Sequence, residues 1–103
     1  MELLEDKKCL AGSVINTLKG KFALEILSAI LDGHLHYGYL IRNIDGINPR
    51  ILATRLRAFE EEGILSRKVL PLIPPQVEYR LTDKGMALYP IIEAMRDWHL
   101  EYN

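Results

Sequence analysis

At 103 residues, 49% of them hydrophobic and 26% charged, the chain has the length and balance of one ordinary folded domain, which excludes a disordered polyelectrolyte. No apolar run approaches the ~20 residues that span a bilayer, so no membrane partner is expected, and the single cysteine, Cys9, excludes an internal disulfide framework. Thirteen Lys and Arg against fourteen Asp and Glu give a formal charge of −1, which opposes a uniformly basic nucleic-acid binder but leaves room for a local cationic face.

The chain opens with Met1-Glu2-Leu3-Leu4-Glu5-Asp6-Lys7-Lys8. Early acids and the lack of a signal-peptide core point to a cytoplasmic protein. Cys9 follows the two lysines, which would lower the pKa of an exposed thiol. It reads as a passive, partly buried residue, and any disulfide it formed would join two subunits or a small thiol. Val14, Ile15 and Leu18 predict a short helix from about Leu10 to Leu18, ended by Gly20. From Lys21 to Leu31, Phe22, Leu24, Ile26, Leu27, Ile30 and Leu31 form a wide apolar stripe at helical spacing, and Gly33 stops it. His34-Leu35-His36 is a short extended bridge, with two histidines and no third metal ligand beside them. Tyr37 to Ile44 predicts a third short helix, closed by Asp45-Gly46.

Asn48 is a natural cap and Pro49 suits the first helical position, where the missing N–H is not needed. That helix is expected to run to Glu62, with Gly63 after it. Two helices joined by a tight glycine-containing turn are a helix-turn-helix pattern. On a 100° wheel, Leu52, Leu56 and Phe59 fall within about 80° of Asn48 and form the buried stripe. Arg50, Ala53, Thr54, Arg57 and Glu61 fall at about 140–240°, on the opposite side. Arginine reads guanine bidentately, threonine reaches several bases, and alanine leaves room for a thymine methyl. The plain alternative is a solvated helix face. Arg55, at the edge of the stripe, is expected in an ion pair with a carboxylate.

After Gly63 the period drops to two. Leu65 to Leu70 reads as one strand, and Val77, Tyr79 and Leu81 alternate with Gln76, Glu78 and Arg80 in a second. Pro71-Leu72-Ile73-Pro74-Pro75 between them is a stiff hairpin tip. Thr82 then caps a last helix to about Tyr102, which Pro90 should kink. Leu88, Ile91, Ile92, Met95 and Trp98 recur along it at three and four, a longer stripe than a small core covers. With Leu3 and Leu4 they are expected in a dimer interface. The pattern is α+β, mainly α: one domain over residues 1–103, a winged helix-turn-helix with a two-stranded hairpin wing and a C-terminal dimerisation helix. Glycine-rich phosphate loops, Ser/His/Asp spacing and metal clusters are missing from the sequence, so neither an enzyme nor a cofactor is expected.

The series Gly20-Lys21-Phe22, Tyr37-Gly38-Tyr39-Leu40, Gly46-Ile47-Asn48-Pro49-Arg50 to Leu56, Glu61 to Arg67, and Pro74-Pro75-Gln76-Val77-Glu78-Tyr79-Arg80-Leu81-Thr82-Asp83-Lys84-Gly85 resembles the HxlR-type regulators from Cys9 onward. The resemblance implies a homodimeric repressor or activator that binds double-stranded DNA at a palindromic operator. It implies DNA contacts at Tyr37, Asn48, Arg50, Ala53, Thr54 and Arg57, with Lys68 and Gln76 on the wing, and leaves open a small-molecule effector or a redox sensor at Cys9. Phe22, His36 and Gln76 depart from the usual Trp, Arg and basic residue. The last two imply a less electrostatic flank, with more of the binding carried by the recognition helix. A protein-binding winged-helix module is the rival class, supported by the apolar wing tip.

Overall fold

A computed structural model describes Leu10 and residues 12–103. Leu3 and Leu4, expected at an interface, and Cys9, read as a passive residue or a redox sensor, lie outside the described residues. A first helix, α1, covers residues 12–18. There follow α2 (Ala23–Leu31), α3 (Tyr37–Asn43), α4 (Pro49–Glu61), β1 (Leu65–Leu70), β2 (Gln76–Leu81), α5 (Asp83–Met86) and α6 (Tyr89–Tyr102). Helices α2, α3 and α4 enclose the core through Ile26, Leu27, Ile30, Leu40, Leu52, Leu56 and Phe59, with Ile64, Leu65, Tyr79 and Ile92 closing it from the sheet and α6. Leu27, Leu40 and Leu52 have no exposed surface. Each such side chain contributes about 1.5–3 kcal/mol of burial free energy.

The second helix starts later than its apolar stripe suggests. Lys21 and Phe22 belong to the turn, and Phe22 holds the left-handed conformation at φ 68°. That conformation costs about 1–3 kcal/mol in a residue with a Cβ. The ring is half-buried against the core, and Lys21 Nζ lies 5.4 Å above its centroid. Packing of the ring opposes the backbone cost.

Strands β1 and β2 pair antiparallel, from Leu65 opposite Leu81 to Leu70 opposite Gln76. A third short segment joins β2 on its other side: the Tyr79 N–H donates to the Leu35 carbonyl at 2.7 Å, and His36 bridges Glu78. This contact changes the expected alternation. Glu78 lies on the polar register of the strand yet is only 8% exposed, because the His36 segment covers it.

The C-terminal stretch is two helices rather than one kinked helix. Thr82 accepts the Gly85 N–H at 3.1 Å and so caps α5. That helix ends at Met86, and α6 begins at Tyr89 with Pro90 in its first turn. Pro90 has no N–H to offer the Met86 carbonyl, and its ring would collide with that carbonyl in a continuous helix. The proline therefore starts a new helix, as at Pro49. Gly85 is buried where α5 crosses the end of α4's loop, and a Cβ there would sit 2.3 Å from the Ile64 carbonyl oxygen. Only Ile92 of α6 is buried, and the described chain is elongated, 57 × 32 × 23 Å.

Candidate nucleic-acid interface

The turn from α3 to α4 is built by local chemistry. Ile44 ends α3 in an extended conformation, and Gly46 takes φ 79°, a region glycine enters without penalty. Asn48 is extended, and its side-chain oxygen accepts the Ile51 N–H at 2.9 Å. Pro49 occupies the first turn, as the sequence suggests. These constraints fix the direction in which α4 leaves the turn. Buried Leu52, Leu56 and Phe59 then fix its rotation.

With that rotation set, Arg50, Ala53, Thr54 and Arg57 are exposed on the opposite side of α4, and Asn48 is exposed at the cap that starts the helix. Among the described residues no ion pair involves Arg50 or Arg57. The exposed Thr54 donates its hydroxyl to the Arg50 carbonyl at 2.8 Å, which leaves the lone pairs of its oxygen to accept. The face thus combines two guanidiniums, a hydroxyl, a methyl and the first turn of a 13-residue helix. The acids Glu60, Glu61 and Glu62 sit at the far end of this helix. There Glu62 is engaged elsewhere: it accepts the Thr17 hydroxyl at 2.8 Å and, through its carbonyl, Lys84 Nζ at 2.6 Å.

Arg55 has a different partner from the carboxylate expected. Its Nε donates to the Lys21 carbonyl at 2.9 Å, and its guanidinium fills the space in which a Cβ at Gly20 would stand. The turn carbonyl is a non-local acceptor that helical spacing cannot reveal. Arg55 therefore anchors the start of α2 to α4.

The wing residues divide. Gln76 and Tyr37 come together along one open cleft of about 510 Å³, shared with His36, Gly38, Tyr39, Arg42, Pro75 and Val77. Lys68 is exposed on β1, opposite Glu78 in the strand register. Glu78 itself is taken up within the protein. Arg80 Nε donates to its carboxylate at 2.6 Å, and His36 Nε2 lies 3.6 Å from the other oxygen. The Arg80 hydrogen bond holds the Glu78 carboxyl below the ordinary carboxylate range, against the opposing effect of desolvation. Burial of Tyr79 pushes its phenol up, opposed by a hydrogen bond from Arg67. The wing tip is apolar, with Leu72 and Ile73 exposed. His34 stacks on Tyr39 at 4.0 Å.

Arg42 and the pair Arg80–Glu78 escaped the sequence reading. Arg42 lies outside the motif that singles out α4, and the burial of Glu78 depends on a segment more than 40 positions away. Of the proposed interface side chains, Ile91, Met95 and Trp98 are exposed, at 43%, 42% and 62%. Leu88 is half-buried against the core and Ile92 lies within it, so these two serve the fold of the single chain.

Comparison with known proteins places this geometry. A family model described as HxlR-like helix-turn-helix matches residues 17–103. An uncharacterized HTH-type transcriptional regulator of Methanothermobacter thermautotrophicus is 36% identical over 94 residues, which cover 91% of this chain and 72% of that protein. The HTH-type transcriptional regulator YtfH of Escherichia coli is 33% identical over 92 residues, covering 89% and 73%. Among solved structures, the redox regulator HypR in its oxidized form superposes with a TM-score of 0.82 at 30% identity, covering 92% of this chain and 98% of that one. The reduced form of YodB from Bacillus subtilis gives 0.78 at 31% identity, covering 88% and 89%. Matched over nearly its whole length in sequence and in fold, the chain belongs to the HxlR-like helix-turn-helix family of DNA-binding transcriptional regulators.

Proposed function

We propose that the chain regulates transcription as a homodimer on a palindromic operator, with α4 in the major groove and the β1–β2 hairpin on the flanking groove or backbone. The observation that carries this reading is the exposed face of α4. Arg50, Ala53, Thr54 and Arg57 stand together there, next to the exposed Asn48 cap, with the two arginines outside any ion pair among the described residues. A helix of this width fits the major groove, and residues of its N-terminal half reach base edges. The overall charge of −1 confines attraction for phosphate to local faces such as this one. Ile91, Met95 and Trp98 on α6 supply an apolar surface for the second subunit, and a two-fold pair would set two α4 helices about one helical turn of DNA apart.

A mobility-shift titration on the DNA upstream of the chain's own gene tests the assignment. The wild-type chain should retard this fragment in preference to a mixed-sequence duplex, and Arg50→Ala with Arg57→Ala should abolish the preference. Unchanged retardation by the double variant would refute the role given to α4. Retention of a protein partner with no DNA retardation at all would favour the module class suggested by the apolar wing tip. No helix among the described residues is long and apolar enough to cross a membrane.

A further inference from the structure

Arg42 lies at the C-terminal end of α3, where a cation commonly serves the helix dipole. Its guanidinium does not go there. It runs back along the helix over Gly38, so that a Cβ at position 38 would stand 2.9 Å from Arg42 Nη1. Helical side chains lean toward the N-terminus, and the missing Cβ of Gly38 lets this one lie flat against the preceding turn. The head group thereby reaches the cleft between α3 and the returning strand of the wing, which Tyr37 and Gln76 also line. No ion pair among the described residues engages Arg42. The nearby acid that could neutralise the cleft, Glu78, is already held by Arg80 and His36. The cleft is open to solvent, lined by polar and apolar atoms alike, and lies where the first helix of the helix-turn-helix meets the wing.

We propose that this cleft is a backbone-phosphate clamp, in which Arg42, seated over Gly38, grips one phosphodiester of the DNA strand passing between α4 and the wing, with Tyr37 and Gln76 as neutral hydrogen-bonding partners. The inference rests on the reading of α4 as the recognition helix and adds to it a contact blind to sequence. Such contacts fix register and orientation on the duplex, while base contacts supply the discrimination. A guanidinium suits the role because its planar fork donates two parallel hydrogen bonds to one phosphate.

The test is the salt dependence of binding to two duplexes, the upstream fragment and a mixed-sequence duplex of equal length, for wild type, Arg42→Ala and Arg42→Gln. Each neutralised phosphate contributes about 0.9 to the slope of log K against log salt. Both variants should therefore flatten the slope by about that amount on both duplexes, and weaken binding to the two by the same factor. The preference for the upstream fragment should remain. Thermal melting of the free variants should stay within a degree or two of wild type, since the guanidinium is exposed and bonds nothing among the described residues. An unchanged slope overturns the clamp. A loss confined to the upstream fragment overturns it too, by making Arg42 a reader of bases. Should Arg50→Ala with Arg57→Ala abolish preference while both Arg42 variants keep the full slope, the clamp fails and the recognition helix stands. If the wild-type chain binds neither duplex at low salt, both readings fall together.

Discussion

Asn48 shows how one side chain sets the geometry of a site. Its carboxamide satisfies the Ile51 N–H at the start of α4, and the helix it starts carries the whole proposed reading face. Replacing a capping Asn by Ala costs about 0.5–2 kcal/mol, so Asn48→Ala should lower the denaturant midpoint by the equivalent amount with an unchanged m-value. An unaltered midpoint would mean that the cap contributes nothing. Glu78 makes a prediction in pH. Its folded pKa lies below the ordinary value through the Arg80 hydrogen bond, so its stabilising contribution is present above the unfolded carboxylate pKa. That contribution is lost as pH falls through the folded one. Wild type should exceed Glu78→Gln in stability at neutral pH, and the margin should shrink on acidification below about pH 4.5. A margin independent of pH would place the effect in packing. The two residues also mark what the sequence discloses. The cap was legible because its partner is three positions away. The burial of Glu78 was not, because it requires His36 to arrive from another part of the chain.

At the level of elements, local punctuation was the reliable guide. Gly33, Gly46, Gly63, the Asn48-Pro49 pair and the stiff hairpin tip delimited α2, α3, α4, β1 and β2 to within a residue or two. Two boundaries escaped this reading. Phe22 is apolar and sits at helical spacing, so periodicity assigns it to α2, yet its ring reaches the core from a left-handed turn. Pro90 was expected to bend a helix, and it starts one. The packing of α5 on the loop after α4 rests on Gly85, whose Cα faces the Ile64 carbonyl. Gly85→Ala should destabilise the fold by about 1–3 kcal/mol, the usual cost of overpacking, as measured by thermal or denaturant unfolding. A variant as stable as wild type would show that α5 shifts freely on the sheet.

On the scale of the whole molecule, α6 leaves the body with one buried residue and an exposed apolar series through Ile91, Met95 and Trp98. Side chains of this size in one row usually mark an interface. Sedimentation of the wild-type chain at micromolar concentration should give a dimer, and Met95→Glu with Trp98→Glu should give a folded monomer. A wild-type monomer would remove the basis for a two-fold arrangement of α4 helices. The sequence disclosed the stripe on α6 but not its division between the chain's own core and the free surface. Periodicity reports a face, and only the path of the chain through Pro90 decides which part of that face turns inward at Ile92.

Methylation protection on the upstream fragment tests the central claim most directly, because dimethyl sulfate modifies guanine N7 on the major-groove edge that an arginine of α4 would cover. The account predicts two protected guanine sets about one helical turn apart, with Arg50→Ala and Arg57→Ala each exposing particular guanines in both half-sites. Tight binding that leaves every major-groove guanine reactive, or a protection pattern untouched by either substitution, would contradict it.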